Sequence, residues 1–286
     1  MAGLVLNSTV VLRLNICAKL NIYASISATS PSCWTLGASK QRHRKTKEQQ
    51  KMGEIDVNFD FRKESKGRDP DRWSSTLQEY HRIVWSKCLP NGKQFALEKV
   101  NQNRLYHKSE LGEFYLSSDV ALYGFIRKCE KLGFVLAQVS ETELIKFRQL
   151  TINTFGGTML WPSIRIDNKM TINGARGFNR LISDRLDLTL ECIRRYYLCE
   201  DSPLYNVFKR YSSFFDLFNS FKGYVDFFHL QDFINENEQI KFSLSFENFN
   251  RSALPQTIDE YIEYKNHTTN LINSRNKRIL ESIKKI

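Results

Sequence analysis

The 286-residue sequence lacks several patterns that define whole classes of protein. It has no run of about 18 apolar residues, which argues against a membrane-spanning helix. Its five histidines show no HxH, HxxxH or HExxH spacing, and no cysteine lies at ligand spacing from one. Neither a Walker phosphate loop nor the GxGxxG dinucleotide pattern occurs. The sequence therefore predicts no metal site and no cofactor.

Paired cysteines are missing as well. The six cysteines are scattered along the chain without a CxxC pair. If Cys192 and Cys199 share a helix, their separation of seven positions corresponds to roughly 10 Å, which is too far for a disulfide. Scattered cysteines are typical of reduced thiols in the cytoplasm, so we expect a cytoplasmic protein with no membrane partner.

Positive charge is abundant but unevenly distributed. The chain has 42 basic and 31 acidic residues, a net charge of +11. Residues 1–51 contain eight of these basic residues and one acid, Glu48, so the remaining chain has a net charge of only +4. A basic surface that binds nucleic acid must therefore come from a local cluster rather than from the overall charge.

Residues 1–51 differ from the rest of the chain in composition, and three interpretations are open. In the first, translation starts at Met52 and the segment results from a mis-assigned start. In the second the segment is a targeting sequence, and in the third it is a disordered arm. We favour the first, because an alternation of apolar and acidic residues begins directly after Met52. On all three interpretations the leader does not pack into the core, and residues 52–286 form a single globular domain.

Secondary structure after Met52 is predicted from periodicity and capping signals. Ile55, Val57, Phe59 and Phe61 alternate as in a strand. Asp69-Pro70 predicts a helix start, with the helix running to about Lys87. Ser140 and Glu143 form a capping box for a further helix, and residues 151–166 have strand and loop composition.

Helices dominate the second half of the predicted fold. We expect helices over residues 184–198 and 203–222, the second with an aromatic stripe whose helical period indicates core packing. Lys241–Phe246 has strand composition. Thr257 and Glu260 form another capping box, which opens a long polar helix to the C-terminus. The predicted class is α+β: one helix-rich domain with a small β component.

The segment 165–180 is the strongest candidate for a binding site. It combines cations and amides around two glycines, a composition that suits a phosphate or carboxylate because arginine donates bidentate hydrogen bonds to both. The alternative is a polar loop whose side chains satisfy backbone carbonyls and neighbouring acids. The candidate ligand-binding residues are Arg165, Lys169, Asn173, Arg176, Asn179 and Arg180.

Candidate catalytic residues are fewer. His107 and Glu110 lie in the one segment that places His, Lys, Ser and Glu together, and imidazole titrates near neutrality. A lone histidine is more often structural, so both roles stay open. Farther along, Asp184, Asp187 and Glu191 have helical spacing. We expect Glu191 to pair with Arg194 or Arg195 and the two aspartates to face solvent.

The chain also resembles a family of uncharacterised bacterial proteins, described as a domain of unknown function, from Met52 to about Arg278. The similarity implies a bacterial cytosolic protein, and members begin at the equivalent of Met52, which supports a start at that residue. It implies no activity and no catalytic residue. The stretches that carry it are Ile55–Arg62, Tyr106–Asp119, Lys169–Arg180, Asp184–Tyr197 and Gly223–Asp232.

Two functions from different classes remain as hypotheses. The first is binding of an anionic ligand, a nucleotide, a phosphorylated metabolite or nucleic acid, through the cations of segment 165–180. The second is an enzyme acting on a phosphate-bearing substrate, with His107 or Glu110 as the acid–base residue. The enzyme requires one of these two residues within hydrogen-bonding reach of a substrate held by the segment. The oligomeric state is not predicted.

Overall fold

A computed structural model describes residues 55–100 and 104–284. The predictions for the leader lie outside these residues. The class is α+β, as predicted: a small antiparallel sheet, many short helices and one long C-terminal helix. The buried apolar side chains form one continuous cluster that extends from Ile55 to Ile283. No helix within the described residues is long and apolar enough to cross a membrane.

The strand predicted over residues 55–61 is wrong. Ile55 and Val57 are buried as the alternation suggested, but the backbone turns. The Asp56 side chain accepts the N–H of Asn58, and Asp60 accepts the N–H groups of two following residues, which starts helix α1 (Phe61–Glu64). Aspartates that bond to nearby backbone N–H groups favour turns and helix starts over strands.

The helix predicted from Asp69 is divided into two. Asp69 is the N-cap of α2 (Pro70–Trp73), with proline at the first position as expected. Ser74 interrupts the helix and becomes the N-cap of α3 (Ser75–Trp85), where its hydroxyl accepts the N–H of Leu77. A serine side chain that satisfies an N-terminal N–H group makes a new helix start favourable at this point.

The sheet has four antiparallel strands in the order β1-β2-β3-β4. The strands are β1 (Glu98–Val100), β2 (Arg104–Ser109), β3 (Gly112–Val120) and β4 (Thr158–Pro162). A tight turn joins β2 to β3 and places His107 opposite Phe114. Every residue of β4 is buried, since helices cover it.

Helices α4 (Tyr123–Cys129), α5 (Gly133–Gln138) and α6 (Glu141–Arg148) connect β3 to β4. The predicted cap is confirmed, because Ser140 accepts the N–H of Glu143. A π-helical turn (Gln149–Asn153) and a 3₁₀ turn (Phe155–Gly157) then lead into β4. All three residues of the 3₁₀ turn are buried.

The second half contains α7 (Ile172–Phe178), α8 (Leu186–Tyr197), α9 (Tyr205–Arg210), α10 (Ser212–Asp216), α11 (Phe221–Phe227) and α12 (Ile258–Lys284). The predicted helix 203–222 is interrupted at Tyr211, although its aromatic stripe is buried as expected. Residues 241–246 do not form the predicted strand. The α12 cap is confirmed by the bond from the Glu260 N–H to the Thr257 hydroxyl.

Candidate anion-binding site

Arg176 has no exposed surface and lies at the centre of a hydrogen-bond network. Its Nε donates to the Thr189 hydroxyl over 2.9 Å, and its Nη1 forms an ion pair with Asp119. Its Nη2 donates to the carbonyls of Ala121 and Asp184 over 3.1 and 2.9 Å. The guanidinium therefore connects α7, β3 and α8, and its donors are occupied by protein groups. Arg176 therefore fits the alternative interpretation of segment 165–180, in which its side chains bond to backbone carbonyls and neighbouring acids rather than to a ligand.

Acids outnumber cations around Arg176. Asp184 Oδ1 lies 3.9 Å from Nη1, and Asp71 accepts a hydrogen bond from Ser118, next to Asp119 in β3. Burial raises the pKa of Asp119 to about 7 against the opposing effect of the Arg176 charge. Burial also raises the pKa of Asp71 to about 7, and the negative charges of nearby aspartates contribute. This network, which we call the Arg176 network, therefore has a surplus of carboxylates.

Asn179 also has a structural role. Its Oδ1 accepts the N–H of Leu181 over 2.9 Å, and its Nδ2 lies 3.5 Å from the carbonyl of Pro203, at the start of α9. Both ends of the amide therefore contact backbone groups that shape the turn after α7. Arg176 and Asn179 therefore both bond to protein groups that hold the local backbone in place.

The other four predicted ligand-binding residues face solvent. Arg165 and Lys169 lie in the loop before α7, Asn173 is on the first turn of α7, and Arg180 follows the helix. In the loop, Asp167 and Asn168 have positive φ angles of 52° and 56°, and the Lys169 N–H donates to the Ile166 carbonyl. This tight turn exposes both loop cations.

Arg210 is a neighbour of this loop that the sequence did not reveal. Its Nη2 donates to the Met170 carbonyl over 2.9 Å, and its Nη1 donates to the Asn206 carbonyl over 3.1 Å. The adjacent Tyr211 donates its hydroxyl to the Ile164 carbonyl over 2.9 Å. These bonds fasten the end of α9 to the loop. We call the group Arg165, Lys169 and Arg210 the loop patch.

The loop patch has no carboxylate partner. Within the described residues, no ion pair involves any of its three cations, whereas Arg82, Arg194 and Arg278 each pair with an acid. Asp167 is the acid within the loop itself. Arg180 is not part of the loop patch. The patch lies before the first residue of α7, where Met170 contacts the end of α9, whereas Arg180 follows the last residue of α7, where Asn179 contacts the start of α9. The length of α7 separates the two positions by roughly 10 Å.

His107 belongs to the core. Its ring has no exposed surface and stacks between Phe95, with centroids 4.2 Å apart, and Phe114, at 6.1 Å. Its Nδ1 donates to the Ala96 carbonyl over 2.9 Å, since a carbonyl only accepts. Burial lowers the pKa of His107, so the neutral ring is favoured. A substrate held at the solvent-facing loop patch does not reach this imidazole in the described conformation.

Glu110, in contrast to His107, is exposed to solvent. It occupies the turn between β2 and β3, where its carboxylate is 3.0 Å from the Lys93 ammonium. Its side chain is 74% exposed, so the pair is a surface interaction. His107 and Glu110 therefore lie in different environments, one inside the core and one at a hairpin tip. The structure does not bring them into a common cleft.

The acids of α8 form ion pairs. Glu191 accepts from both Arg194 and Arg195 over 2.7–3.0 Å, as predicted. The expectation that Asp184 and Asp187 face solvent is wrong, because both are buried: Asp184 lies near Arg176, and Asp187 forms a bidentate pair with Arg185. Across residues 55–100 and 104–284, no cluster of histidine, cysteine and acidic side chains could hold a metal ion. Cys88, Cys129 and Cys192 are free thiols, whereas Cys199 is disulfide-bonded, so the expectation that all the cysteines are reduced is not met.

A surface cleft of about 300 Å³ lies beside the π-helical turn, with Lys63 and Lys146 on its rim. Its polar wall groups have local roles. Asp60 caps α1, and the Thr154 hydroxyl donates to the Leu150 carbonyl. π-helical turns occur frequently at functional sites, but nothing in this cleft identifies a ligand.

Comparison with known proteins gives one match. No curated protein and no solved structure is similar to this chain. A family model, described as a family of unknown function (DUF6994), matches residues 55–279, most of the chain and almost all of its described part. The resemblance found in the sequence is thus confirmed at the level of the family. The chain is a member of the family of unknown function DUF6994.

Proposed function

We propose that this protein binds a phosphate-bearing anionic ligand, a nucleotide, a phosphorylated metabolite or nucleic acid, at the loop patch. The observation that carries the proposal is the absence of a carboxylate partner for Arg165, Lys169 and Arg210, in a molecule whose described arginines otherwise pair frequently with acids. Guanidinium and ammonium groups without a carboxylate partner keep their full positive charge for phosphate oxygens.

The geometry of Arg210 supports the same proposal. Two carbonyls orient its guanidinium without neutralising its charge, so a ligand gains an ordered cation at small entropic cost. Ile164 and Met170 each expose about half of their surface beside the cations. They offer apolar contact to a base or another uncharged part of the ligand. Three free thiols agree with a cytoplasmic location and the disulfide at Cys199 does not; we include this location in the proposal together with the bacterial origin that the resemblance implied.

The test is calorimetric titration and thermal unfolding of the full chain with pyrophosphate, ATP and a short single-stranded oligonucleotide. The Arg165→Gln/Lys169→Gln and Arg210→Gln variants should each reduce affinity at least about tenfold, and added salt should weaken binding. Lys209→Gln, an exposed lysine next to Arg210 on the same helix, is the matched control and should bind normally. Binding that is unaffected by both patch variants, or no binding by the folded wild type, would reject the loop patch.

The enzyme hypothesis has no comparable support. His107 lacks access to solvent, and Glu110 is paired with Lys93 at an exposed turn. Acid–base catalysis on a substrate at the loop patch remains a prediction from the sequence, without an observation in its favour.

A further inference from the structure

Arg275, on α12, is the second arginine whose side chain is fully buried. Its Nε donates to the Phe228 carbonyl over 3.2 Å, and its Nη1 donates to the carbonyls of Gly156 and Thr158, both over 2.7 Å. No ion pair within the described residues involves it. Its Nη2 is buried and has no hydrogen-bond partner. The Trp85 ring lies 5.8 Å from its Cζ, but neither this ring nor the carbonyls carry the negative charge that would balance a buried guanidinium, and an unbalanced buried charge is unfavourable.

Two more unpaired groups surround the same 3₁₀ turn, and both are donors. Asn276 accepts the Gly156 N–H at its Oδ1 over 2.7 Å, which fixes the orientation of the amide and leaves the buried Nδ2 unpaired. His81, whose ring packs 4.9 Å from that of Phe155, accepts the Trp85 indole N–H at Nδ1 over 3.0 Å. An indole nitrogen only donates, so the proton of the neutral imidazole is on Nε2, which is also buried and unpaired.

More basic groups lie on the side of Trp85 nearer to solvent. The Lys87 ammonium is 3.0 Å from Nε2 of His229 and 5.1 Å from the centre of the Trp85 ring. Burial and the charge of Arg275 lower the pKa of Lys87 to about 7. The nearest acid that affects Lys87 is Asp226, which is exposed and already bonded to Lys222 and Gln231. Within the described part of the chain, the region therefore contains four basic side chains, and none of them forms an ion pair with a buried acid.

We propose that the Phe155–Gly157 turn, Arg275, Asn276 and His81 form an internal site for a small inorganic anion of halide or formate size. The unpaired groups are all donors, which selects a ligand that only accepts hydrogen bonds. The complete burial of Arg275 limits that ligand to a small one. The site is separate from the loop patch and does not depend on the proposed function.

Thermal unfolding of the full chain tests the proposal at constant ionic strength, with bromide replacing the much larger methanesulfonate stepwise. We expect a saturable rise of at least about 2 °C in the melting temperature of the wild type, because an anion that binds only the folded state stabilises it by mass action. The Arg165→Gln/Lys169→Gln variant should show the same rise, which separates this site from the loop patch.

Asn276→Asp is the decisive variant, because Arg275→Met loses three backbone contacts and can simply fail to fold. The aspartate keeps the acceptor for the Gly156 N–H and replaces the unpaired Nδ2 with a carboxylate oxygen at the same 3₁₀ turn that Arg275 contacts. It should melt above the wild type in methanesulfonate and lose the bromide response. A bromide-independent melting temperature of the wild type, or a response that Asn276→Asp retains in full, would overturn the proposal.

Discussion

Arg176 and Arg275 are both completely buried, yet their surroundings are opposite in charge. Arg176 contacts Asp119 directly and has Asp184 nearby, so carboxylates compensate its charge. Arg275 donates to carbonyl oxygens, faces the Trp85 ring and lies among basic side chains, and no carboxylate of the described residues pairs with it. The comparison teaches that burial of an arginine does not by itself assign its role. The partners decide whether the guanidinium completes the fold or keeps donors for a ligand.

The largest effect is expected from Arg176→Met. The substitution preserves apolar volume but leaves Asp119 buried without its cation and two carbonyls without a donor. Chemical denaturation should show a loss of about 3–5 kcal/mol in the free energy of unfolding. Arg180→Met, four residues later and exposed, is the control and should change stability by less than about 0.5 kcal/mol. Equal stability of the two variants would show that the Arg176 network contributes little.

Arg275→Met should cost less, about 1–3 kcal/mol in anion-free buffer. Three carbonyls lose a charged donor, but no carboxylate remains behind and an unpaired buried charge is removed. Denaturation under the conditions used for Arg176→Met gives a direct comparison. A loss larger than that of Arg176→Met would remove the energetic distinction between the two arginines.

Asp71→Asn tests the acid surplus through pH. An acid whose folded pKa is raised binds more protons when folded, so its contribution to stability falls as pH rises from the unfolded value, 3.8, to the folded value, about 7. Asparagine can still accept the Ser118 hydroxyl. The free energy of unfolding of Asp71→Asn, measured relative to the wild type, should therefore increase by at least about 1 kcal/mol between pH 4 and pH 7.5. A difference that does not change with pH would mean that Asp71 has an ordinary pKa.

Lys87→Met tests whether basic side chains are in excess around Arg275. Its effect on the pH dependence of stability should have the opposite sign to that of Asp71→Asn. A lysine whose folded pKa is lowered binds fewer protons when folded, so stability rises as pH increases from about 7 towards the ordinary value, 10.5. The wild type should gain about 1 kcal/mol in the free energy of unfolding between pH 7 and pH 9.5 in anion-free buffer, and the variant should not show this gain. Bromide should reduce the difference between wild type and variant, since a nearby anion favours the charged lysine. Parallel pH profiles would contradict the cation surplus.

Local signals in the sequence predicted a good part of the fold. The caps at Ser140 and Thr257, the ion pairs of Glu191 and the buried aromatic stripe all depend on residues close together in the chain, where spacing determines contact. The wrong predictions of secondary structure arose where two local signals compete. Side-chain capping by aspartate prevailed over strand alternation near residue 58, and the Ser74 hydroxyl divided a helix whose periodicity was continuous.

The candidate site was less predictable, because its deciding contacts are distant in sequence. The carboxylate that pairs with Arg176 is 57 residues earlier, so composition could not separate this structural arginine from exposed Arg165. Arg210 reaches the loop across 40 residues. Arg275 lies in a helix that looked polar, and it reaches carbonyls 117–119 residues away. Spacing within one segment contains no information about such partners.

The most direct measurement is anomalous X-ray diffraction from crystals of the full chain grown or soaked in bromide. The account predicts an anomalous peak within hydrogen-bonding distance of Arg275 Nη2 and none beside Arg176, whose donors are occupied. A bromide ion beside Arg176, or well-ordered water alone beside Arg275, would contradict the distinction between the two buried arginines.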